Sequence, residues 1–373
     1  MGESTKTIYQ KKNIYFLAIF IAVFIAILAL TFKFIVEVDW SNLSKVLVTG
    51  FSSWQGWMWI ALIVLIFALS IIIKANAQYA RCSVVVKVKF TSCIEYSLTT
   101  SFLAMIGTMN LFDGAYSLYW MKKHHINTSQ SFAFVLYNNV VNETSMFILF
   151  IPAYIYLCTK YPSICAVDGG ILIFWIMTLG LVLNTLSILV YFFMGYSRKF
   201  AYWVAVCGNW FKKIFKMHYH TKQECHDKYF HNKQLRNDFF ALFKNKKATF
   251  AYFFKNFACC GLAVLDLYAI FMFVSIGQIN INPFFIFVVQ TTSGAANRFS
   301  PTPGGVGTWE MITTTILTGI AGRDYGTIIH NSVFISRFDT IVFNMAGLGT
   351  FIFVSIKVLK EKYRKHHITQ NKA

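Results

Sequence analysis

The stretch Arg298-Phe-Ser-Pro-Thr-Pro-Gly-Gly-Val-Gly-Thr-Trp-Glu310 decides how this chain is read. Two prolines stop an incoming helix, and three glycines permit close backbone approaches that other residues resist. The run lies inside a moderately apolar segment, residues 284–322. Broken backbone at membrane depth is tolerated only where protein or a water-filled cavity satisfies its polar groups. The segment therefore predicts a hairpin of two short helices, the second starting near Thr308. That helix start would aim its free N–H groups and positive dipole end into the gap, which suits a phosphate or carboxylate. Arg298 would add a bidentate anion contact, and Glu310, in the first turn, would cap the helix or meet a cationic headgroup. A purely structural kink with Arg298 paired to Glu310 is the alternative. There is no GxxxxGK signature and no preceding soluble strand, so a nucleotide-binding P-loop is excluded.

Working outward, the rest of the chain agrees with a membrane setting. Of its 373 residues, 56% are hydrophobic and only 13% charged, about half the charge a soluble domain carries. Mean hydropathy is +0.53. Apolar runs near the ~20 residues needed to cross a bilayer occupy residues 14–36, 57–73, 132–158, 171–194, 250–277 and 327–356. The first lacks a convincing cleavage site and reads as an uncleaved helix. The fold class is an all-α polytopic membrane protein: about six full transmembrane helices plus two re-entrant or short paired hairpins. The whole of 1–373 forms one integral membrane domain.

The charge is lopsided, with 34 Lys+Arg against 15 Asp+Glu. In a soluble chain this would suggest nucleic acid. Here most of the cations sit in the N-terminus, residues 74–89, Lys122-Lys123, residues 195–249 and the tail, all on one side of the predicted spans. The positive-inside rule and anionic lipid account for them, so no nucleic acid is expected, and both termini are predicted cytoplasmic in the cell membrane. Residues 195–249 mix Lys and Arg with Trp203, Trp210, Phe211, Phe215 and Tyr219. They read as an amphipathic stretch on anionic lipid or as an ordinary solvated loop.

A second break, Asn110-Leu-Phe-Asp113-Gly114, interrupts residues 93–121, which start and finish on the basic side. Span–hairpin–span thus occurs twice, in residues 57–158 and 250–356, with hairpins entering from opposite sides. In transporters, broken helices at matching positions of two inverted halves point to the substrate site.

Ionisable residues inside spans are expensive and should face the bundle interior. Glu143, Asp266, Arg337 and Asp339 are such residues. Glu143 and Arg337 follow the two hairpins at comparable positions and form a natural pair. Asp339 would join Arg298 or titrate. A structural salt-bridge network and a transport path are both open for the four, and Asn138, Asn139 and Asn142 lie on the approach to Glu143. His218, His220, Cys225, His226 and His231 cluster in the soluble segment, but their spacing matches no standard zinc motif, so no metal is expected. No cofactor motif and no catalytic Ser-His-Asp, HExxH or carboxylate pair is recognised. Cys158 and Cys165 flank one short loop predicted to be external and could pair, but they are read as reduced spectators.

Pro301-Thr-Pro303-Gly304-Gly305-Val-Gly307-Thr-Trp-Glu310 resembles the P-x-P-G-G-L/V-G-x-x-E signature of the flippase-like membrane region of lysylphosphatidylglycerol synthases. The basic stretch after the second span, the Asn110 hairpin, Glu143 and Arg337 fall in the family order. The first hairpin departs from it: Asp113 stands where the family has Pro, and no Glu or Arg follows. The resemblance implies a protein moving an anionic, aminoacylated or polyprenyl-linked lipid between leaflets, with Arg298, Pro301, Pro303, Gly304, Gly305, Gly307, Glu310, Asn110, Asp113 and Gly114 contacting the headgroup. Longer members carry a C-terminal soluble lysyltransferase domain. This chain ends at Ala373, soon after its last span, so that domain and its catalysis are expected to be absent. A lipid-presenting subunit working with a separate soluble enzyme, and an ion or small-solute carrier, are the alternatives. The expected partners are membrane lipids.

Overall fold

The computed structural model describes residues 39–83, 86–106, 111–162, 164, 170–214, 221–226, 233–275, 281–297 and 305–370. The predicted first span, the cluster around His218 and the tip residues 298–304 lie outside these. Among the described residues every regular element is helical and no strand forms.

In chain order the elements are α1 (Trp40–Ser52), α2 (Trp54–Cys82), α3 (Phe90–Ile106), α4 (Leu111–Lys123), α5 (Thr128–Lys160) and α6 (Gly170–Tyr196). They continue with α7 (Arg198–Ile214), a single turn at Lys222–Cys225, then α8 (Lys233–Lys244), α9 (Lys246–Ser275), α10 (Pro283–Asn297), α11 (Thr308–Ala321) and α12 (Gly326–Gln370). Starts follow side-chain chemistry. Asp39, Ser53 and Asn127 each accept a backbone N–H of the first turn of α1, α2 and α5, and Asn245 does so for α9.

Four described helices, α2, α5, α6 (over Phe174–Tyr196) and α9, are long and apolar enough to cross a membrane. They run past the predicted limits at both ends, except that α9 stops short of Gly277, because hydropathy marks the hydrocarbon part and not the helical turns that reach beyond it. The predicted last span falls within α12, which carries Arg337 and Asp339. Large apolar side chains such as Trp175, 62% exposed, and Leu179, Val182 and Leu186 cover the outside of α6. Water would not tolerate this band, but lipid tails do. This is an integral membrane protein.

Contacts between helices give their directions. Along α2 and α9, Trp59 meets Tyr268 and Lys74 lies near Cys259. Rising numbers on one helix meet falling numbers on the other, so the two are antiparallel. On α5 and α9, Tyr137 bonds Thr249 and Asn142 bonds Lys255, both rising, so this pair is parallel. Glu143 with Asn184 and Tyr154 with Thr178 make α5 and α6 antiparallel.

The hairpins follow from this frame. The start of α3 lies against the end of α2 through Phe90 and Tyr79, and α4 ends in Lys122 and Lys123 just before α5 begins. The start of α10 lies against the far end of α5 through Phe284 and Tyr156, and Gly319 near the end of α11 packs on Ile164, beyond α5. The two hairpins therefore enter the bundle from opposite faces. Their contacts are reciprocal: α3 lies on α12, and α10 lies on α5. One apolar core collects α3, α4 and the first half of α5, and another collects α10, α11 and the second half of α5.

One expected break is shifted. Leu111 to Gly114 are the first turn of α4 and not a broken centre. Asp113 at that position is favourable to a helix start, because it faces the positive dipole end, and this offsets the glycine that follows. Asn110 lies outside the described residues.

Candidate functional site

Between the two apolar cores lies a cavity of about 620 Å³. Its walls come from both hairpins and from the spans on either side of each: α2, α3, α4 and α5, then α9, α10, α11 and α12. Among the described residues, the remaining elements contribute nothing to it. The lining is unusually polar for a membrane interior, with Gln78, Asn138, Asn142, Asn256, Gln290 and Asn344 among it. Carboxamides left facing hydrocarbon would each lack partners at a cost of several kcal/mol, roughly, so this lining defines a hydrated space.

The Pro-Gly stretch meets the cavity through Gly305, Trp309 and the clasp behind them. Gly305 has φ +70 and Gly307 has φ +88, a region that other residues resist. At Gly305 a Cβ atom would run into the Asn297 side chain at the end of α10, which would have to turn away, and the positive φ itself favours glycine there. Gly307 caps α11, as the sequence predicts for a helix from Thr308. Glu310, 1% exposed, reaches back to accept the Gly307 N–H at 2.8 Å through Oε2. Its other oxygen, Oε1, accepts from Arg337 Nε on α12. Arg337 also lies over the Trp309 ring, 5.6 Å from its centroid. One carboxylate thus joins the helix start to the closing span. Arg298, Pro301, Pro303 and Gly304 lie outside the described residues.

The expected Glu143–Arg337 pair is corrected by this arrangement. Glu143 accepts from Asn184 Nδ2 on α6 and does not line the cavity. Its neighbour Asn142 does line it and accepts from Lys255. Successive helical residues point about 100° apart, so one position separates the cavity wall from the α5–α6 interface. Asp266 and Asp113 line the cavity; Gly114 and Gly307 do not. Asp339 stands within electrostatic reach of Asp266 without lining the cavity.

Two cations absent from the predicted site do line it. Lys74 Nζ donates to Ser101 Oγ on α3 at 3.1 Å. Lys255 Nζ donates to Asn142 Oδ1 at 3.3 Å and sits 4.0 Å from the centroid of the Tyr252 ring. Lys255 interrupts an apolar run beside Asn256, which was the available signal, whereas Lys74 reads as the first residue of the basic stretch after the second predicted span. Nearby, Arg81 is 1% exposed between the rings of Phe134 and Tyr252, at 5.0 and 4.8 Å. Among the described residues no group of three or more His, Cys, Asp or Glu side chains could hold a metal ion.

These features define a class: a polytopic α-helical membrane protein with a polar cavity enclosed by two oppositely inserted hairpins. The chain belongs to the family described as the lysylphosphatidylglycerol synthase TM region, which it matches over residues 16–347. That family places it in membrane lipid handling. It is also similar to an uncharacterized protein of Mycoplasma pneumoniae, 20% identical over 385 residues, covering 98% of this chain and 97% of that protein. No solved structure matches.

Proposed function

We propose that this protein carries the headgroup of an anionic, aminoacylated or polyprenyl-linked lipid between leaflets while the acyl tails stay in the surrounding lipid. The observation that carries this reading is the cavity itself: polar, buried among apolar helices, and walled by one hairpin from each face. The spans and hairpins of 57–158 and 250–356 act as two inverted repeats, for which reciprocal packing of α3 on α12 and α10 on α5 speaks. Rocking of one repeat against the other would open the cavity to each face in turn. The basic face, carrying Arg81, Lys122, Lys123, Arg198 and Lys246, is placed in the cytoplasm by the positive-inside rule.

The residues take distinct parts. Gly305, Trp309 and the Glu310–Arg337 clasp form the headgroup wall on the α10–α11 side. Asp266, lining the path without a hydrogen-bond or ion-pair partner among the described residues, meets a cationic portion of the cargo or a coupling ion. Glu143 holds α5 to α6 and serves packing.

The test is leaflet exchange in vesicles reconstituted with the full chain, read by chemical quenching of outer-leaflet fluorescent lipids. Faster exchange of phosphatidylglycerol or its aminoacyl ester than in protein-free vesicles is expected. Equal rates for every anionic and aminoacylated lipid tried would overturn the reading. Headgroup-independent ion flux that depends on Asp266 would favour a solute carrier instead.

A further inference from the structure

We propose that Arg81 is an oxyanion receptor behind the α3–α4 end of the cavity, placed to take the phosphate of a headgroup through N–H groups that the fold leaves unused. This deepens the proposed lipid role and rests on it only for the source of the phosphate. Arg81, 1% exposed, sits at the end of α2 with its guanidinium against the rings of Phe134 on α5 and Tyr252 on α9. Its Nη2 donates to Gln78 Oε1, one turn back on the same helix. Nε and Nη1 are buried and have no hydrogen-bond partner. Among the described residues no carboxylate forms an ion pair with Arg81.

An arginine does not shed its proton in a protein, so burial leaves the charge in place. Cation–π attraction offsets part of the cost, but a ring brings no oxygen to Nε or Nη1. Unmade hydrogen bonds at a buried charged donor are costly, and an entering oxyanion removes that cost. The guanidinium stands directly behind the cavity wall. Gln78, which it bonds, lines the cavity, as do Tyr96 and Tyr252, which lie in its electrostatic field. Next to Tyr96 on α3, Ser97 lines the same cavity, is 1% exposed, and its Oγ has no hydrogen-bond partner. Two helices packed on each other, α2 and α3, thus each bring a buried donor without a partner to one end of the cavity. A tetrahedral phosphate has oxygens enough for both, whereas a flat carboxylate has only two. Asp113 lines the cavity and acts electrostatically on Tyr96 and Tyr252, so it is the carboxylate placed to compete for Arg81.

The phosphate could belong to a lipid headgroup or to a water-soluble ester, and the probes distinguish them. The purified full chain would be incubated with phosphatidylglycerol, with diacylglycerol lacking any phosphate, and with glycerol phosphate, and retained molecules counted by native mass spectrometry. Arg81→Met keeps an apolar stem beside the rings and removes the charge. It should weaken phosphatidylglycerol retention about tenfold, the scale of a lost charge-assisted hydrogen bond, with diacylglycerol retention unchanged. Ser97→Ala removes a hydroxyl without a partner in the protein, so folding should be unaffected while phosphatidylglycerol retention falls about threefold. Lys45→Gln, an exposed lysine on α1, should leave retention at the wild-type level. Displacement by glycerol phosphate at micromolar levels would assign the receptor to a soluble ester and keep the phosphate reading. Wild-type retention of both phosphate compounds in Ser97→Ala and in a folded Arg81→Met variant overturns it. Folding is checked by helical circular dichroism and a monodisperse elution, and where Arg81→Met does not fold, wild-type retention in Ser97→Ala alone overturns it. An Asp113→Asn change that restores the stability lost in Arg81→Met, with retention unchanged, makes Asp113 the counter-charge and likewise overturns it. Wild-type retention in the variants with leaflet exchange intact discards the receptor alone. Retention lost as expected, with no exchange by the wild-type chain, discards the lipid-transfer reading and keeps the receptor.

Discussion

Replacing Glu310 by Ala removes two interactions at once. The first is the cap on α11, where Oε2 accepts the Gly307 N–H at 2.8 Å; losing an N-terminal cap costs about 0.5–2 kcal/mol. The second is the ion pair with Arg337, whose side chain is 12% exposed against 2% for Glu310. Breaking a buried pair by removing one partner costs about 3–5 kcal/mol, because the remaining charge stays buried without compensation. Arg337 lines the cavity, so water reaches it and softens that second cost. The two together should come to about 3–5 kcal/mol of unfolding free energy. Glu310→Gln keeps an acceptor for Gly307 and loses only the charge, so it should cost about half as much. The measurement is equilibrium unfolding in mixed micelles followed by tryptophan fluorescence. Trp309, whose ring lies under the Arg337 guanidinium, is a local reporter. In the Glu310→Gln/Arg337→Met double variant, about 1–3 kcal/mol should be recovered relative to the sum of the singles, since both charges then leave together. A Glu310→Ala variant within about 1 kcal/mol of wild type, or strict additivity in the double, would refute the view that this carboxylate joins helix start to closing span.

Other consequences are independent of the clasp. Gly305→Ala places a Cβ on Asn297 Oδ1 at φ +70, and should cost about 2 kcal/mol or more in the same unfolding assay; adding Asn297→Ala relieves only the steric part. At Gly347 a Cβ would stand 2.2 Å from the Leu98 carbonyl oxygen, so Gly347→Val should push α12 off α3, and proteolysis in the α3–α4 hairpin should accelerate. Unchanged cleavage would count against that contact. Asn184→Leu leaves the Glu143 carboxylate without its α6 donor and should destabilise the fold by about 1–3 kcal/mol, with no change in headgroup selectivity. Altered selectivity would place Glu143 on the path after all. His124, on the loop after α4 with its ring 4.4 Å from Trp120, has its pKa lowered by burial and then by Lys123. The unfolded chain therefore takes up this proton more readily, and stability should fall as pH drops below the ordinary histidine value of about 6.5. A His124→Gln variant should show a flatter profile between about pH 7 and 5, and an unchanged slope would assign the dependence elsewhere.

Much of this molecule could be read along the chain. Long apolar runs announce spans wherever they occur, and Pro301, Pro303 and the following glycines announce a break, because hydropathy and backbone freedom are local properties. The capped start of α11 at Thr308 and the reach of Glu310 back to Gly307 belong to the same kind, with partners only three residues apart. The first hairpin was less legible: Asp113-Gly114 reads as a break when taken residue by residue, yet it forms the first turn of α4.

What the tertiary structure decided is which charges meet. Glu143 and Arg337 occupy comparable places after their hairpins, but Glu143 turns toward Asn184 on α6 while Arg337 closes on Glu310 from another helix. Lys74 and Lys255 are far apart in sequence and share one cavity because α2 and α9 pack antiparallel. Direction around a helix changes by about 100° per residue, and neighbours are chosen by the packing of whole helices. A sequence therefore states that a charge is buried in a span, whereas its partner depends on rotation and adjacency that only the assembled bundle sets.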